Sequence, residues 1–471
     1  MFKSRRSYNP YYSKRRPKRR FSNLWIVLSI PVFLLLLELL TRILVVLTGQ
    51  SGEISSYSYQ GEPPEFTAFR LNFLNENQQP YRGLSNTGKL VAQRNPSVGY
   101  QLAGSQQHQY WQINEQGFRE TEPLPLAKPR NEIRIFILGG STAFGQGNQS
   151  NDITIAGQLQ KRLNQRISQQ KSSPEKYQPG FIPFYRPERV KALAKPPRIR
   201  GGNYRVINGG VPGYTSGNTL AQLALQILPY KPDVIVVLNG YEDILLSSSE
   251  KAAQIPHLED FLNHPPAHFA AYLGQPIQQF FQSTYLNKAV QKWILESEPT
   301  LAERSIALGE PNQPLGDYLP PTEEELELRL QRYQEHHKQM VRLAAGAGIP
   351  VIIALQPEIT SLITPENPEV GGIIEDLSQN YIEQLQQNYP RFGSANQQLA
   401  KNLPRNVKVL DFYKNWTKLA AKDKKLSDGE SAFSDVVHLS EGGNRVISNQ
   451  LYQTITTLTK IQVIPENFNL K

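Results

Sequence analysis

A serine in a glycine-rich turn is the first group in this chain that could act as a nucleophile. Ser141 lies in the segment GGSTAFGQG (Gly139–Gly147), directly after the apolar run Ile133–Leu138. The segment lacks the Gly-Lys-Ser/Thr of a P-loop and the glycine spacing of a dinucleotide fingerprint. At a strand-to-helix turn, the Ser141 hydroxyl would lie near a helix N-terminus and its backbone N–H would be free to donate. Two interpretations remain at this point, a structural glycine turn or the turn of a serine nucleophile.

A serine hydroxyl needs a general base before it can attack a carbonyl carbon. Of seven histidines, His438 has the most suitable surroundings, because it lies in a loop before the last predicted helix with Asp435 three residues earlier. A carboxylate at that spacing can reach the near imidazole nitrogen and fix the tautomer. His336 and His337 lie in a charged helical segment, where we expect side chains that face solvent.

Cysteine is absent from the sequence. This excludes disulfide frameworks, thiolate zinc sites and cysteine nucleophiles. The adjacent histidines have no further ligands at useful spacing, so we expect neither a metal nor a cofactor.

Short apolar runs alternate with helical patterns through most of the chain. The predicted strands are Ile133–Leu138, Asn203–Asn208, Asp233–Leu238, Pro350–Leu355 and Val407–Leu410, and the clearest helices are Ile153–Ile167, Thr219–Leu228 and Thr322–Ala345. Strands this apolar indicate a parallel sheet that is covered on both faces. Segments 169–200 and 247–321 do not fit the alternation and are interpreted as insertions.

Four segments follow these strands in a fixed order: the GGS turn, NGGVPGYTS (Asn208–Ser216), NGYED (Asn239–Asp243) and a terminal DVVH (Asp435–His438). Their order and spacing resemble the SGNH/GDSL hydrolase family over about residues 131–462. The resemblance implies a flavodoxin-like, three-layer α/β/α fold and esterase-type acyl chemistry.

The same resemblance implies a role for each site residue. It assigns Ser141 as the nucleophile, with Asp435 and His438 as the rest of a triad. The oxyanion hole would use the backbone N–H groups of Ser141 and Gly213, together with the third position of the block Gly240–Asp243.

This chain departs from the family pattern at two positions. Gly140 replaces the usual aspartate before the nucleophile, and Glu242 stands where the family has an oxyanion-donating asparagine. An ionised carboxylate accepts hydrogen bonds and would repel the developing negative charge. Catalysis would survive if Glu242 is protonated, if Asn239 substitutes for it, or if two backbone donors suffice. The fourth possibility is a catalytically impaired domain.

The charge of the chain is concentrated at its N-terminus. There are 51 Lys+Arg against 41 Asp+Glu, a formal charge of +10, and residues 1–20 contain nine of the bases and no acid. The other 451 residues therefore have a net charge of +1, so we expect no nucleic-acid partner. The apolar run 24–48 is long enough to cross a bilayer, and basic residues before it favour a cytoplasmic N-terminus. A cleaved signal peptide is the competing interpretation.

These features predict a basic cytoplasmic tail (1–23), one transmembrane helix (24–48), a membrane-proximal region (49–130) and a hydrolase-like domain (131–462). The predicted location is the bacterial cytoplasmic membrane, with the catalytic domain outside, in the periplasm. The predicted function is a serine esterase that acts on an acyl ester, such as O-acylated envelope polysaccharide or lipid. The alternatives are an impaired domain that binds glycan or a protein partner, and an O-acyltransferase.

Overall fold

A computed structural model describes residues 68–75, 77–79, 88–95, 97–248, 315–363, 377–404 and 406–466. The predicted basic tail, the predicted transmembrane helix 24–48 and most of the segment 247–321 lie outside these residues. Within the described ranges, no helix is both long and apolar enough to cross a bilayer.

The strands of the described chain form three sheets. They are Leu71–Phe73 (β1), Leu90–Asn95 (β2), Gly99–Leu102 (β3), Gln106–Gln107 (β4), Gln112–Ile113 (β5), Glu132–Gly139 (β6), Asn203–Asn208 (β7), Val234–Asn239 (β8), Val351–Leu355 (β9) and Val407–Asp411 (β10). The five predicted strands correspond to β6–β10, each within one residue at either end.

The helices alternate with these strands as the sequence predicts. They are Ser141–Phe144 (α1), Ile155–Ser172 (α2), Arg186–Ala194 (α3), Ser216–Gln222 (α4), Tyr241–Leu245 (α5), Glu323–Gly346 (α6), Gln379–Asn388 (α7), Pro390–Asn402 (α8), Phe412–Ala420 (α9), Lys424–Ser427 (α10) and Glu441–Thr456 (α11). The predicted helix 322–345 is α6, and the Thr322 hydroxyl caps it by accepting from the Glu325 N–H at 3.2 Å. The predicted helix 219–228 begins earlier, at Ser216, and ends in a π-helical turn over Leu223–Ile227.

The main sheet is parallel and has the strand order β10-β9-β8-β6-β7. In chain order this is 2-1-3-4-5, which is the flavodoxin-like arrangement. The order reverses direction beside β6, and ligands bind at the carboxyl ends of strands near such a switch point. Ser141 follows β6 directly, so the topology places it at that position.

The sheet is covered on both faces, as its apolar strands predict. Ile133, Ile135 and Ile137 of β6 pack with residues of α2, α9 and α11, whereas Phe136 and Leu138 pack with residues of α4, α6 and α8. Successive side chains of a strand point to opposite faces, so β6 contributes to both cores. The structure is therefore a three-layer α/β/α sandwich.

The region before β6 folds against the main domain. Strands β1 and β2 pair in parallel, β2 and β3 pair antiparallel, and β4 forms a hairpin with β5. The apolar side chains of this region share one core with Phe144, Val211 and Tyr214. The Tyr100 hydroxyl donates to the Pro212 carbonyl at 2.5 Å, and the Tyr214 hydroxyl donates to the Tyr100 carbonyl.

Candidate active site

The turn that presents Ser141 requires two glycines. Gly139 ends β6 with φ of 146°, and a Cβ atom there would lie 1.9 Å from the Leu238 carbonyl oxygen. The chain then enters α1 at Ser141 and leaves it through Gly145, which has a left-handed conformation (φ 82°). Only glycine tolerates these positions without strain. The serine is completely buried at a strand-to-helix turn, as the motif predicts.

Asp435 and His438 form the predicted hydrogen-bonded pair. Asp435 Oδ1 accepts from the backbone N–H groups of Val437 (3.0 Å) and His438 (2.7 Å), and Oδ2 lies 2.5 Å from His438 Nδ1. Burial alone would raise the pKa of Asp435, but the charge and hydrogen bonds of His438 hold it below the usual value. Because an ionised carboxylate only accepts, Nδ1 carries a proton, and the lone pair of the base form of the ring lies on Nε2. Nε2 is buried and has no hydrogen-bond partner in the described chain.

Direct contacts join the serine turn to the histidine loop. The Thr142 hydroxyl donates to the Val437 carbonyl at 3.2 Å, and the Asn148 side chain donates to the Leu439 carbonyl at 2.8 Å. Thr142 is adjacent to Ser141, Asn148 follows the serine turn, and Val437 and Leu439 flank His438. The two halves of the predicted triad therefore lie side by side.

Ser141 does not hydrogen-bond His438 in this structure. Its hydroxyl lies 3.2 Å from Glu242 Oε1, and its backbone N–H donates to the same oxygen at 3.3 Å. Glu242 thus accepts the hydrogen bond of the Ser141 N–H, which is a donor that the family resemblance assigns to the oxyanion hole. The charge of His438 also acts on Glu242 and lowers the pKa of its carboxyl group.

The environment of Glu242 favours its neutral form. Burial, reinforced by the charge of Asp243, raises the pKa of Glu242 to about 7, although hydrogen bonds from backbone N–H groups and the charge of His438 act in the opposite direction. The second carboxyl oxygen, Oε2, is buried without a hydrogen-bond partner among the described residues. A neutral carboxyl group with its proton on Oε2 would place an unused O–H donor beside Ser141.

Gly213 is the second backbone donor that the family resemblance predicts. It has φ of 80°, and no hydrogen bond joins its N–H to the part of the chain that the structure describes. Its segment passes close to the serine turn, because the Val211 N–H donates to the Gly139 carbonyl at 3.0 Å and the Asn208 side chain donates to Phe144 at 3.0 Å. Gly213 is therefore available as a donor next to the turn.

Asn239, the alternative donor, has a buried Nδ2 amide group without a hydrogen-bond partner among the described residues. Its Oδ1 lies 3.1 Å from His337 Nε2, on the face of the sheet that α6 covers. This contact also corrects the expectation for the two adjacent histidines. His337 is fully buried, and burial lowers its pKa to about 4, while His336 is partly buried with Nδ1 2.9 Å from the Ser216 hydroxyl. Both face the protein because α6 packs against α4 and the sheet, so the prediction of solvent-facing histidines was wrong.

Three supporting groups were missed in the sequence; Asp243 lies in the NGYED segment, whereas the other two have no motif that would identify them. The first is Asp243, whose carboxylate accepts from the Ser216 N–H (3.0 Å) and the Ser216 hydroxyl (2.5 Å). These bonds fasten the segment that contains Gly213 to the segment that contains Glu242.

The second supporting group is Glu358, in the loop after β9. Its carboxyl accepts from Thr360 and, at 3.2 Å, from the Tyr381 hydroxyl, which itself lies 3.0 Å from the Tyr241 hydroxyl. Burial raises the pKa of Glu358 to about 8. The adjacent Ile359 N–H donates to the Val436 carbonyl at 2.9 Å, so this loop supports the one that carries Asp435.

The third is Arg119, which is buried without an acidic partner among the described residues. Its guanidinium donates to the carbonyls of Phe144 (3.1 Å), Gly145 (2.6 Å) and Asn148 (2.9 Å). Burial lowers the pKa of Arg119 to about 9. A charged donor therefore holds the end of α1 and the loop that follows it, and thereby the orientation of Ser141.

The chain matches no family model, and no curated protein matches it. Solved structures similar to it include an acetyl xylan esterase (11% identity, TM-score 0.33, covering 69% of this chain and 100% of that one). A catalytic mutant of an acetylxylan esterase from Geobacillus stearothermophilus is similar at 10% identity and TM-score 0.32, over 70% of this chain and 96% of that one. A lipase/acylhydrolase from Enterococcus faecalis is similar at 13% identity and TM-score 0.31, over 69% and 95% of the two chains.

Proposed function

We propose that this protein is a serine ester hydrolase with Ser141 as nucleophile, His438 as general base and Asp435 as the group that orients the base. The observation that carries the proposal is the buried, unpartnered Nε2 of His438. Asp435 fixes the proton on Nδ1, so the lone pair of Nε2 is available beside the serine turn. A buried nitrogen without a partner is costly, and a serine proton is the group that would satisfy it.

The reaction begins when the Ser141 hydroxyl turns from Glu242 to His438 Nε2. The oxygen attacks the acyl carbon, its proton moves to Nε2, and Asp435 stabilises the resulting imidazolium. His438 then gives this proton to the departing alcohol oxygen, which leaves an acyl group on Ser141. A water molecule, deprotonated by His438, attacks the acyl-enzyme and releases the carboxylic acid and the free serine.

Glu242 takes part as a neutral carboxyl group in this proposal. The tetrahedral intermediate has a negative oxygen that needs donors, and the N–H groups of Ser141 and Gly213 supply two of them. The O–H on Glu242 Oε2 supplies the third when the residue is protonated. An ionised Glu242 carboxylate would instead keep its hydrogen bond from the Ser141 N–H and repel the negative charge of the intermediate. The hydrolase is therefore active in the protonation state that burial favours.

Location suggests the substrate class. With residues 24–48 in the cytoplasmic membrane and the basic N-terminus inside, the hydrolase domain would lie in the periplasm of a bacterium. The acyl esters present there are O-acylated envelope polysaccharides and lipids. Reporter fusions at the C-terminus test this topology: periplasmic alkaline phosphatase activity is expected, and activity of a cytoplasmic reporter at the same position would contradict it.

The chemical proposal is tested with a labelled fluorophosphonate and the full chain. We expect a covalent adduct on the peptide that contains Ser141, and none in the Ser141→Ala variant. Ser427→Ala, at an exposed serine of α10, is the matched control and should label like the unmodified protein. If the folded protein gives no adduct at Ser141 at any pH between 5 and 8, the hydrolase assignment is wrong.

One observation favours a second candidate, a binding module without catalysis. Glu242 engages both the N–H and the hydroxyl of Ser141, so the nucleophile is held away from its base. A module of this kind would bind an O-acylated glycan and release no acid. Calorimetric binding without hydrolysis would support it, whereas acyl transfer to an added sugar would support an O-acyltransferase.

A further inference from the structure

The segment between α2 and β7 has a defined structure on the surface of the domain. The Gln178 N–H donates to the Pro196 carbonyl at 3.0 Å, and the Gln178 side chain donates to the Leu193 carbonyl at 3.2 Å. The guanidinium of Arg166 in α2 lies 4.0 Å from the centre of the Tyr177 ring. The C-terminal end of α3 is therefore hydrogen-bonded to the segment that precedes the helix, and that segment packs on α2.

This surface is unusually apolar. Phe184 is 95% exposed, and Phe181, Tyr185 and Val190 are each more than half exposed. Of the nine exposed large hydrophobic residues in the described chain, five lie between positions 181 and 193. Val463 and Ile464 are also exposed and lie beside this segment, because the Val463 N–H donates to the Arg198 carbonyl at 2.8 Å. Together these seven residues are the α3 patch. Clustered exposed hydrophobic residues mark an interaction site, whereas scattered ones do not.

Positive charge surrounds the α3 patch. Residues 181–200 contain six basic residues and one acid, Glu188. Glu188 is exposed and is the one acid of α3, whereas Arg186, Arg189 and Lys191 are three exposed bases of the same helix. Residues four apart lie on the same side of a helix. Arg186 lies four residues before Val190, and Arg189 lies four before Leu193. Each arginine therefore shares a side of α3 with an exposed apolar residue. The outer side of α3 thus combines cations with apolar side chains.

We propose that the α3 patch binds the surface of an anionic lipid bilayer. Aromatic and aliphatic side chains at one end of a short helix insert at the boundary between headgroups and acyl chains, and flanking Lys and Arg attract anionic headgroups. The patch has both components on one side of the molecule. This contact is independent of the predicted helix 24–48 and of the hydrolase chemistry, and it would set the orientation of the domain on the membrane.

A depth measurement at one position tests the proposal, because sedimentation with vesicles would also report any insertion of residues 24–48. The chain has no cysteine, so Phe184→Cys gives a single attachment point for a nitroxide spin label in the full-length protein. The control is Lys401→Cys at an exposed position of α8, which precedes the opposite edge strand β10. Power-saturation measurements would be made in detergent, in phosphatidylcholine vesicles and in vesicles that also contain phosphatidylglycerol.

We expect the label at position 184 to enter the bilayer in vesicles with phosphatidylglycerol and to remain in water in the other two conditions. The label at position 401 should remain in water throughout. Replacing Arg186, Arg189 and Lys191 by Gln should weaken the immersed state on the order of 100-fold. A label that stays in water in every condition overturns the proposal, as does equal immersion in both vesicle types. Burial of the label in detergent would also overturn it, because the patch would then bind a second copy of the chain.

Discussion

The backbone of Gly140 lies so close to the Glu242 carboxyl group that an added Cβ atom would be 2.2 Å from Oε1. Gly140 and Glu242, which are the two departures from the family pattern, are therefore structurally coupled. An aspartate at position 140, which the family usually has, could not coexist with Glu242 in its present position. The absence of a side chain at Gly140 makes room for the glutamate beside Ser141.

This relationship predicts energetic coupling between the two positions. Gly140→Ala should destabilise the protein by about 1–3 kcal/mol, because the new Cβ atom overpacks the site. The backbone of Gly140 has a negative φ of −84°, so no left-handed conformation opposes the substitution and the contact with Glu242 is the expected cause. Chemical denaturation of both single variants and of Gly140→Ala combined with Glu242→Asn measures the coupling. Additive effects would contradict the contact.

The pH dependence of hydrolysis tests the role of Glu242. Burial raises the pKa of this group to about 7, so the neutral donor is lost as the pH rises through that value. We expect kcat/KM for a small acyl ester to fall above about pH 7. Glu242→Gln, which stays neutral, should remove this fall and raise kcat/KM about tenfold at a pH one unit above the pKa. Glu242→Asn should also raise turnover there. Unchanged profiles in both variants would show that the charge of Glu242 is irrelevant.

The Asp435–His438 pair predicts a large effect from a small substitution. Asp435→Asn keeps the shape of the side chain but favours the wrong tautomer of His438, and should lower kcat by about 10⁴-fold. Asp428→Asn, at an exposed position in the same part of the chain, is the control and should leave kcat unchanged. Similar kcat values for the Asp435→Asn variant and the unmodified enzyme would contradict the role of Asp435 in orienting His438.

The hydrogen bonds of the buried Arg119 predict that replacing this residue lowers the free energy of unfolding. Arg119→Met retains apolar bulk but removes a donor from the carbonyls of Phe144, Gly145 and Asn148. Phe144 keeps the Asn208 side chain as a donor and Gly145 keeps the Asn148 N–H, so the Asn148 carbonyl is left unsatisfied. An unsatisfied buried acceptor costs about 1–3 kcal/mol, and we expect a decrease of that size in the free energy of unfolding. Arg130→Met, at an exposed position, should change it by less than about 0.5 kcal/mol. Equal denaturation midpoints for the two variants would contradict this role.

The raised pKa of Glu358 predicts that the free energy of unfolding depends on pH. Burial raises its pKa from 4.5 to about 8, so between these values the folded chain holds a proton that the unfolded chain releases. The contribution of Glu358 to the free energy of unfolding is therefore greatest below about pH 4.5 and is lost as the pH rises through about 8. Glu358→Gln should reduce the decline between pH 5 and 8, measured by chemical denaturation. Glu324→Gln, at an exposed position of α6, should leave the decline unchanged, and a steeper decline in Glu358→Gln would contradict the assignment.

The sequence predicted the elements of the main sheet because their signal is local. Strands β8 and β9 are apolar runs, β6, β7 and β10 are apolar with one internal basic residue each, and β6, β7 and β8 end directly before segments of the site. The approach of His438 to the Ser141 turn could be expected because both follow carboxyl ends of parallel strands. Residues whose role depends on tertiary contacts could not be predicted. His337 is surrounded by charged residues in sequence, yet α6 buries it, and nothing near Arg119 indicates that distant carbonyls surround it.

The shared core of β1–β3 and the residues after β7 has a consequence for the order in which the protein folds. The Tyr100 hydroxyl and its acceptor, the Pro212 carbonyl, are 112 positions apart. Since synthesis proceeds from the N-terminus, the first small sheet is complete long before its packing partners exist. Its aromatic side chains must stay exposed until Val211 and Tyr214 arrive, so a nascent chain that pauses before this point is vulnerable to aggregation. The first half of the chain is therefore the part for which assistance during synthesis matters most.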